Sequence, residues 1–233
     1  MEPSGLPAFI GTLLVAVIPP VLVINCGASW KSIGMGAAAW VIAVAIKPPA
    51  SKLVSKVVTE HQHRKIFATL QGILSALTEL GIVAVCYIIL FPQLSLPDAI
   101  AFGVGASSME IFSVLALGII ADIRCPDWAS RAAWVLGARQ SLWVRYMMFI
   151  ERFAALLGHV GSRGLVYLGL VHFNLVLTSI AFILFSAVDG VTVYGRLAGW
   201  DWFEPWICRS FYLFVLMVNF LEIGIFTAST AIG

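Results

Sequence analysis

Stretches of about 20 apolar residues recur along almost the whole chain, separated only by short polar segments. A helix needs about that length to cross the hydrocarbon core of a bilayer, which is roughly 30 Å thick. Seven such stretches predict seven spans, at about residues 6–25, 32–46, 66–91, 97–120, 145–163, 164–188 and 207–230. We therefore expect an all-α fold, a polytopic transmembrane helical bundle of about seven spans that forms a single transmembrane domain over residues 1–233.

The composition favours a membrane protein over a soluble one. Hydrophobic residues make up 61% of the chain, charged residues make up 11%, and the mean hydropathy is +0.98. The net charge of +2 follows from basic loops, so no nucleic-acid partner is expected. The four cysteines form no CxxC pair, which argues against a zinc finger or a disulfide framework.

Basic residues are distributed unevenly between the two sides of the predicted bundle. The connections after the second, fourth and sixth spans hold ten of them, namely Lys47, Lys52, Lys56, Arg64, Lys65, Arg124, Arg131, Arg139, Arg145 and Arg196. The other connections hold only Lys31 and Arg163. Because cytoplasmic loops carry an excess of Lys and Arg, the N-terminus is predicted to be cytoplasmic. The lysine-rich stretch after the second span is predicted to lie on the membrane surface as a separate amphipathic helix.

Several polar residues fall inside or at the edges of the predicted spans. They are Glu79, Glu110, Glu151, Arg152, His159, His172, Asn174 and Glu222. Ionisable groups in the hydrocarbon core cost at least a few kcal/mol each, so we expect them to face the interior and pair, or to line a functional cavity.

Depth along each span, taken from the rise of about 1.5 Å per residue, sorts these residues into two layers. The outer layer, about 6 to 12 Å below the outer edge of the membrane, holds Glu79, His159, His172 and Glu222. The inner layer holds Glu110, Glu151 and Arg152 as a carboxylate–arginine pair. Because Arg152 and His159 are seven residues apart, they share one helical face and connect the two layers.

The outer layer contains the ligand types of a catalytic zinc site. Two neutral imidazoles and a carboxylate, here His159, His172 and Glu79, would hold one zinc ion and leave its fourth position open to water. The other interpretation is that each histidine is hydrogen-bonded to a neighbouring helix and that the carboxylate–arginine pair fixes helix register, with no cofactor bound. The residues alone leave both interpretations open.

Three segments resemble the motifs of the YhfC family of intramembrane metalloproteases. They are "TELGI" at 78–82, "FGVGASSMEIFSVL" at 102–115 and "ERFAALLGHVGS" at 151–162. That family belongs to a broader group with the CAAX prenyl proteases and the anterior-pharynx-defective scaffold subunit of gamma-secretase. The resemblance implies a similar order of spans over most of the chain.

The resemblance also implies roles for the matching residues. Glu79 matches one glutamate of a paired-glutamate motif, and Glu110 matches the glutamate that ends a glycine-rich motif; both would be catalytic carboxylates in an active enzyme. The pattern "ER…H..S" is matched by Glu151, Arg152, His159 and Ser162, and His172 matches a later histidine.

Three departures from the family pattern fall on groups that hydrolysis needs. Thr78 replaces the first glutamate, Ile82 or a neighbour replaces an arginine, and Ala106 replaces a histidine. Metal-assisted hydrolysis requires ligands for the ion and a carboxylate that accepts the proton of the attacking water, so the site is predicted to be degenerate.

The leading hypothesis is a structural or assembly subunit of a membrane complex, whose partners are the lipid bilayer and other membrane-protein subunits. The scaffold subunit of gamma-secretase provides the analogy, at the level of the fold alone. The alternative is an active metal-dependent intramembrane endopeptidase with a cavity that opens toward the outer half of the membrane. A transporter or channel component is the third hypothesis.

Overall fold

The computed structural model describes residues 6–59, 63–90, 94–124 and 128–232, and these residues form nine helices and no strand. The helices are α1 (Leu6–Asn25), α2 (Trp30–Val57), α3 (Arg64–Leu90), α4 (Leu96–Arg124), α5 (Trp128–Gln140), α6 (Leu142–Arg145), α7 (Met147–Val171), α8 (Leu175–Leu197) and α9 (Pro205–Ile232). All except α5 and α6 are long and apolar enough to span a membrane. The prediction of an all-α bundle with seven spans is confirmed.

The outward faces of the spanning helices carry large apolar side chains. Ile88 of α3, Leu117 of α4, Ile183 of α8 and Met217 of α9 are all exposed on the surface of the bundle. A surface of this kind is compatible with lipid, which solvates such side chains as well as a protein interior does. The chain is therefore a multi-pass protein suited to a bilayer.

The most enclosed span is α7. In the most apolar stretch of 18 residues, 61% of the residues of α7 are buried, compared with 6% of those of α8. The reason is that α7 packs against five other spans, α1, α3, α4, α8 and α9. Its buried residues include Arg152, His159 and Arg163. Protein rather than lipid surrounds these polar side chains, which is the arrangement that the membrane core requires.

Glycines allow the closest helix contacts in the bundle. A Cβ atom at Gly36 of α2 would overlap the backbone of Phe102 in α4, and one at Gly105 of α4 would overlap the backbone of Ile33 in α2. At Gly103 a Cβ atom would lie 2.7 Å from the carbonyl oxygen of His159 in α7. These small residues of "FGVGASS" allow close helix approach and bring α2 and α7 against α4.

Three predicted spans have wrong bounds. The sixth, predicted at 164–188, is α8 at Leu175–Leu197, and the errors in the second and fifth concern the polar interior. The second span does not end at residue 46, because α2 continues through Pro48 and Pro49 to Val57 with no separate surface helix after Lys47. The fifth span does not end at residue 163, because α7 continues to Val171. A charge normally marks the end of a span because it is costly in lipid, but Lys47 and Arg163 are each paired inside the bundle.

Candidate functional site

The polar side chains meet between α2, α3, α4, α7, α8 and α9. We call the end of the bundle with the α2–α3, α4–α5 and α8–α9 connections the basic end, because it carries most of the lysines and arginines. The other end carries the α1–α2, α3–α4 and α7–α8 connections. Successive spans run in opposite directions, so residues far apart in sequence reach the same depth.

Glu79 of α3 is held by two cations from two other helices. The Nζ atom of Lys47 donates to Oε1 of Glu79 at 2.5 Å, and Nη2 of Arg163 donates to Oε2 at 2.9 Å. The Glu79 and Arg163 side chains are almost completely buried. Both carboxylate oxygens are therefore occupied by charge-assisted hydrogen bonds, which tie α2, α3 and α7 together.

Glu110 of α4 bridges two residues of α7. Its Oε1 accepts from Nη1 of Arg152 at 2.5 Å, and its Oε2 lies 2.5 Å from Nε2 of His159. Arg152 also pairs with Glu151 through its other terminal nitrogen. The structure thus brings together the predicted inner set of Glu110, Glu151 and Arg152, and adds His159 to it.

The two clusters adjoin at His159. Its Nδ1 atom lies 4.0 Å from Oε2 of Glu79, while its Nε2 bonds to Glu110. Glu79 and His159 of the predicted outer layer therefore form one continuous network with the inner layer, because a carboxylate on α4 can reach two α7 side chains that are two turns apart.

His172 lies away from this network. It is the exposed C-terminal cap of α7, 13 residues after His159, which corresponds to about 20 Å along the helix. Asn174, two residues later, caps the start of α8 with its side chain. The structure therefore does not assemble the predicted zinc ligands His159, His172 and Glu79. Within the described ranges no group of three His, Cys, Asp or Glu side chains could hold a metal ion.

Three charged residues of the network were not among the predicted site residues. The hydropathy pattern puts Lys47 and Arg163 in loops, and Asp189 of α8 falls one residue beyond the predicted sixth span. Asp189 accepts a hydrogen bond from Ser75 of α3 and lies 3.8 Å from Lys47 Nζ. One signal was available for Arg163, since its spacing of four residues from His159 puts it on the same helical face.

A cavity of about 310 Å³ lies along the network. Its charged lining consists of Lys47, Glu79, Glu110, Glu151, Arg152, His159, Asp189 and Glu222. A second cavity of about 360 Å³ shares Lys47, Asp189 and Thr192 with the first and continues along Ser51 and Gln71. Thr192 and Glu151 lie five and four residues from the basic-end termini of α8 and α7, so the polar space extends toward the basic end. The predicted orientation makes the basic end cytoplasmic, whereas the endopeptidase alternative predicts an opening toward the outer half of the membrane.

Glu222 of α9 differs from the other carboxylates that line the cavity. It is only 1% exposed, and its Oε1 atom has no hydrogen-bond partner. The Nδ1 atom of His159 also lacks a hydrogen-bond partner and is buried. A buried polar atom without a partner is costly, so this wall of the cavity can accept a further donor.

No protein family, curated protein or solved structure matches this chain. The fold and the site define its class, a polytopic membrane protein with seven candidate spans and a buried network of ion pairs around a polar cavity. The resemblance to the YhfC family stays a prediction that depends on the three sequence motifs.

Proposed function

We propose that the chain is a non-hydrolytic membrane protein with a YhfC-like fold that acts as a structural or assembly subunit of a membrane complex. The observation that carries this proposal is the occupation of both candidate catalytic carboxylates by basic side chains. Glu79 is bonded to Lys47 and Arg163, and Glu110 is bonded to Arg152.

These pairs are unfavourable for metal-assisted hydrolysis. A zinc ion would have to compete for Glu79, because an ammonium and a guanidinium group each donate to one of its oxygens. The same cations would repel a divalent ion strongly in a medium of low dielectric constant. A second imidazole near His159 is also lacking among the described residues, since His172 lies at the far end of α7.

The same pairs support a structural role. They join α2, α3, α4 and α7 at fixed heights, and buried polar groups of this kind can specify one arrangement of helices over its alternatives. Breaking the register of any one helix would leave at least one charge unpaired in the membrane core, which is costly.

Two features are compatible with a partner subunit. The α8 helix leaves most of its apolar window outside the core of the bundle, which offers a surface to lipid or to another span. At the basic end, Trp200 and Trp202 pack edge-on against each other and Trp202 packs against Phe211, whereas Trp206 is 62% exposed. An exposed tryptophan at this level serves as an interfacial anchor or a docking residue.

The metal content of purified protein tests the non-hydrolytic part of the proposal. We expect less than stoichiometric zinc in the wild type, measured by elemental mass spectrometry, and no change in His159→Ala. The matched control is His172→Ala, which alters the exposed histidine. Stoichiometric zinc that is lost in His159→Ala but kept in His172→Ala would overturn the proposal.

The mass of the native particle tests the assembly part. Membranes extracted with a copolymer that keeps the surrounding lipid should yield a particle that contains a second membrane protein in a fixed ratio to this chain. Particles that contain this chain alone, measured by native mass spectrometry, would contradict an assembly role and leave the metal result unaffected.

One observation favours a second candidate function, a component of a transporter or channel. The two cavities share Lys47 and Asp189 and are lined by ionisable side chains at membrane depth, which is typical of solute and ion pathways. The prolines at positions 48 and 49 interrupt the hydrogen bonding of α2 beside both cavities, and interrupted helices are common at transporter binding sites.

A further inference from the structure

Glu222 has no cation bonded to it among the described residues. Arg163 interacts with Glu222 electrostatically, but its Nη2 donates to Glu79 and its Nε and Nη1 form no hydrogen bond. Oε1 of Glu222 accepts no hydrogen bond, although the side chain is almost completely buried and lines the cavity.

Carboxyl groups outnumber basic side chains in the network and its cavity. The five carboxyl groups are those of Glu79, Glu110, Glu151, Asp189 and Glu222, and the three basic side chains are Lys47, Arg152 and Arg163. Lys47 is shared by Glu79 and Asp189, and Arg152 is shared by two further carboxylates. Arg163 is bonded to Glu79 through Nη2, while its Nε and Nη1 have no hydrogen-bond partner. No cation is bonded to Glu222, and a buried carboxyl group without a bonded cation can take a positive ligand.

The remaining walls of the cavity are mainly apolar and aromatic, with Thr192 and Asn219 as polar members. The apolar and aromatic members include Trp40, Val44, Phe185, Val188, Phe211, Tyr212 and Val215. Aromatic faces attract organic cations as well as apolar groups, and the volume of about 310 Å³ is at the lower end of small-molecule sites. This lining suits a ligand that has a charged end and an apolar body, rather than a bare metal ion, which would require several converging oxygens.

We propose that the cavity beside Glu222 binds a small primary amine, with its ammonium group on the Glu222 carboxylate and its apolar body against the aromatic wall. The site goes beyond the proposed structural role and needs no hydrolytic activity. Two sources could supply the same chemistry, a soluble amine or the ammonium group of a lipid headgroup.

The test measures the binding of phenethylamine by calorimetry to the full chain in phosphatidylcholine nanodiscs. The matched probe is 2-phenylethanol, which has the same ring and a neutral hydroxyl group. We expect the amine to bind and the alcohol to bind at least roughly tenfold more weakly, because a hydrogen bond between charged groups is lost.

Variants of Glu222 test whether the amine binds at this residue. Glu222→Gln keeps the shape and removes the charge, so it should weaken amine binding roughly tenfold or more, whereas Glu222→Asp should retain most of it. Glu204→Gln, an exposed change in the α8–α9 connection, is the matched control and should leave the affinity unchanged. Thermal unfolding without ligand checks that each variant is folded.

Three outcomes would overturn the proposal: no amine binding, equal binding of amine and alcohol, or an unchanged affinity in folded Glu222→Gln. Nanodiscs that also contain phosphatidylethanolamine distinguish the source of the amine. A lower apparent affinity for phenethylamine there would assign the site to a lipid headgroup, and an equal affinity would assign it to a soluble amine. Neither result depends on the zinc measurement that tests the proposed function.

Discussion

The Nε2 atom of His159 lies 2.5 Å from Oε2 of Glu110, although the two residues belong to helices that cross the bundle in opposite directions. The other ring nitrogen of His159 faces Glu79 on a third helix at 4.0 Å. One imidazole thus connects the two carboxylates that the sequence motifs single out, and it makes their ion pairs parts of one network.

Removal of the Glu110 charge should destabilise the bundle strongly. In Glu110→Gln the buried guanidinium of Arg152 keeps only the partly exposed Glu151 as a carboxylate partner. Breaking a buried ion pair on one side typically costs about 3–5 kcal/mol of unfolding free energy. Equilibrium unfolding in mixed micelles with increasing fractions of a denaturing detergent measures the loss.

The control for this experiment is Glu204→Gln, which removes a carboxylate from an exposed position. Its unfolding free energy should stay within about 0.5 kcal/mol of the wild type. If Glu110→Gln were no more destabilising than this control, the pair with Arg152 would have no structural importance.

Much of this architecture follows from the sequence in a direct way. Length and hydropathy are sufficient to predict seven spanning helices, because a bilayer admits few alternatives. The helical rise also places Glu110 and Arg152 at a common depth, and the structure brings them into contact. What hydropathy cannot supply is the order of the helices around the bundle.

Glu79 and Arg163 should show energetic coupling. A double-mutant cycle with Glu79→Gln and Arg163→Gln should give a coupling energy of about 0.5–3 kcal/mol, because the two buried side chains are bonded directly. The same unfolding assay supplies the four free energies.

The comparison cycle pairs Glu79→Gln with Arg209→Gln, since Arg209 is an exposed residue on α9. That cycle should be additive within about 0.5 kcal/mol. An additive result for the Arg163 cycle would contradict the direct ion pair.

Two neighbouring glycines of α2 should respond oppositely to alanine. Gly36→Ala forces a Cβ atom into the backbone of Phe102 and should destabilise the protein by about 1–3 kcal/mol. Gly34→Ala meets nothing within 4 Å and should be neutral or stabilising by up to about 1 kcal/mol, because alanine favours the helix. A similar effect of both changes on unfolding would show that α2 and α4 are not in backbone contact.

Orientation in the membrane can be tested at Cys26, which is exposed at the end of α1. If the N-terminus is cytoplasmic as predicted, a variant that keeps only this cysteine should react with a membrane-impermeant maleimide in intact cells. The matched variant carries only Ser55→Cys at the basic end and should react only after permeabilisation. The reverse labelling pattern would establish the opposite orientation.

The residues that hydropathy misplaced share one physical property. Lys47 and Arg163 each lie inside a span because a carboxylate on another helix balances the charge. A hydropathy pattern counts such a charge as unpaired in lipid, because its partner lies on a different segment of the chain. The predicted span therefore ends at the charge. The same error shortened α7 in the prediction and thereby gave His172 a false depth beside His159.

Pro48 and Pro49 have no amide hydrogen, so the carbonyl oxygens of Val44 and Ala45 have no donor one turn further along α2. Val44 lines the first cavity. Its main-chain carbonyl group therefore lacks its helical hydrogen bond beside the cavity, whereas a regular helix would have paired it.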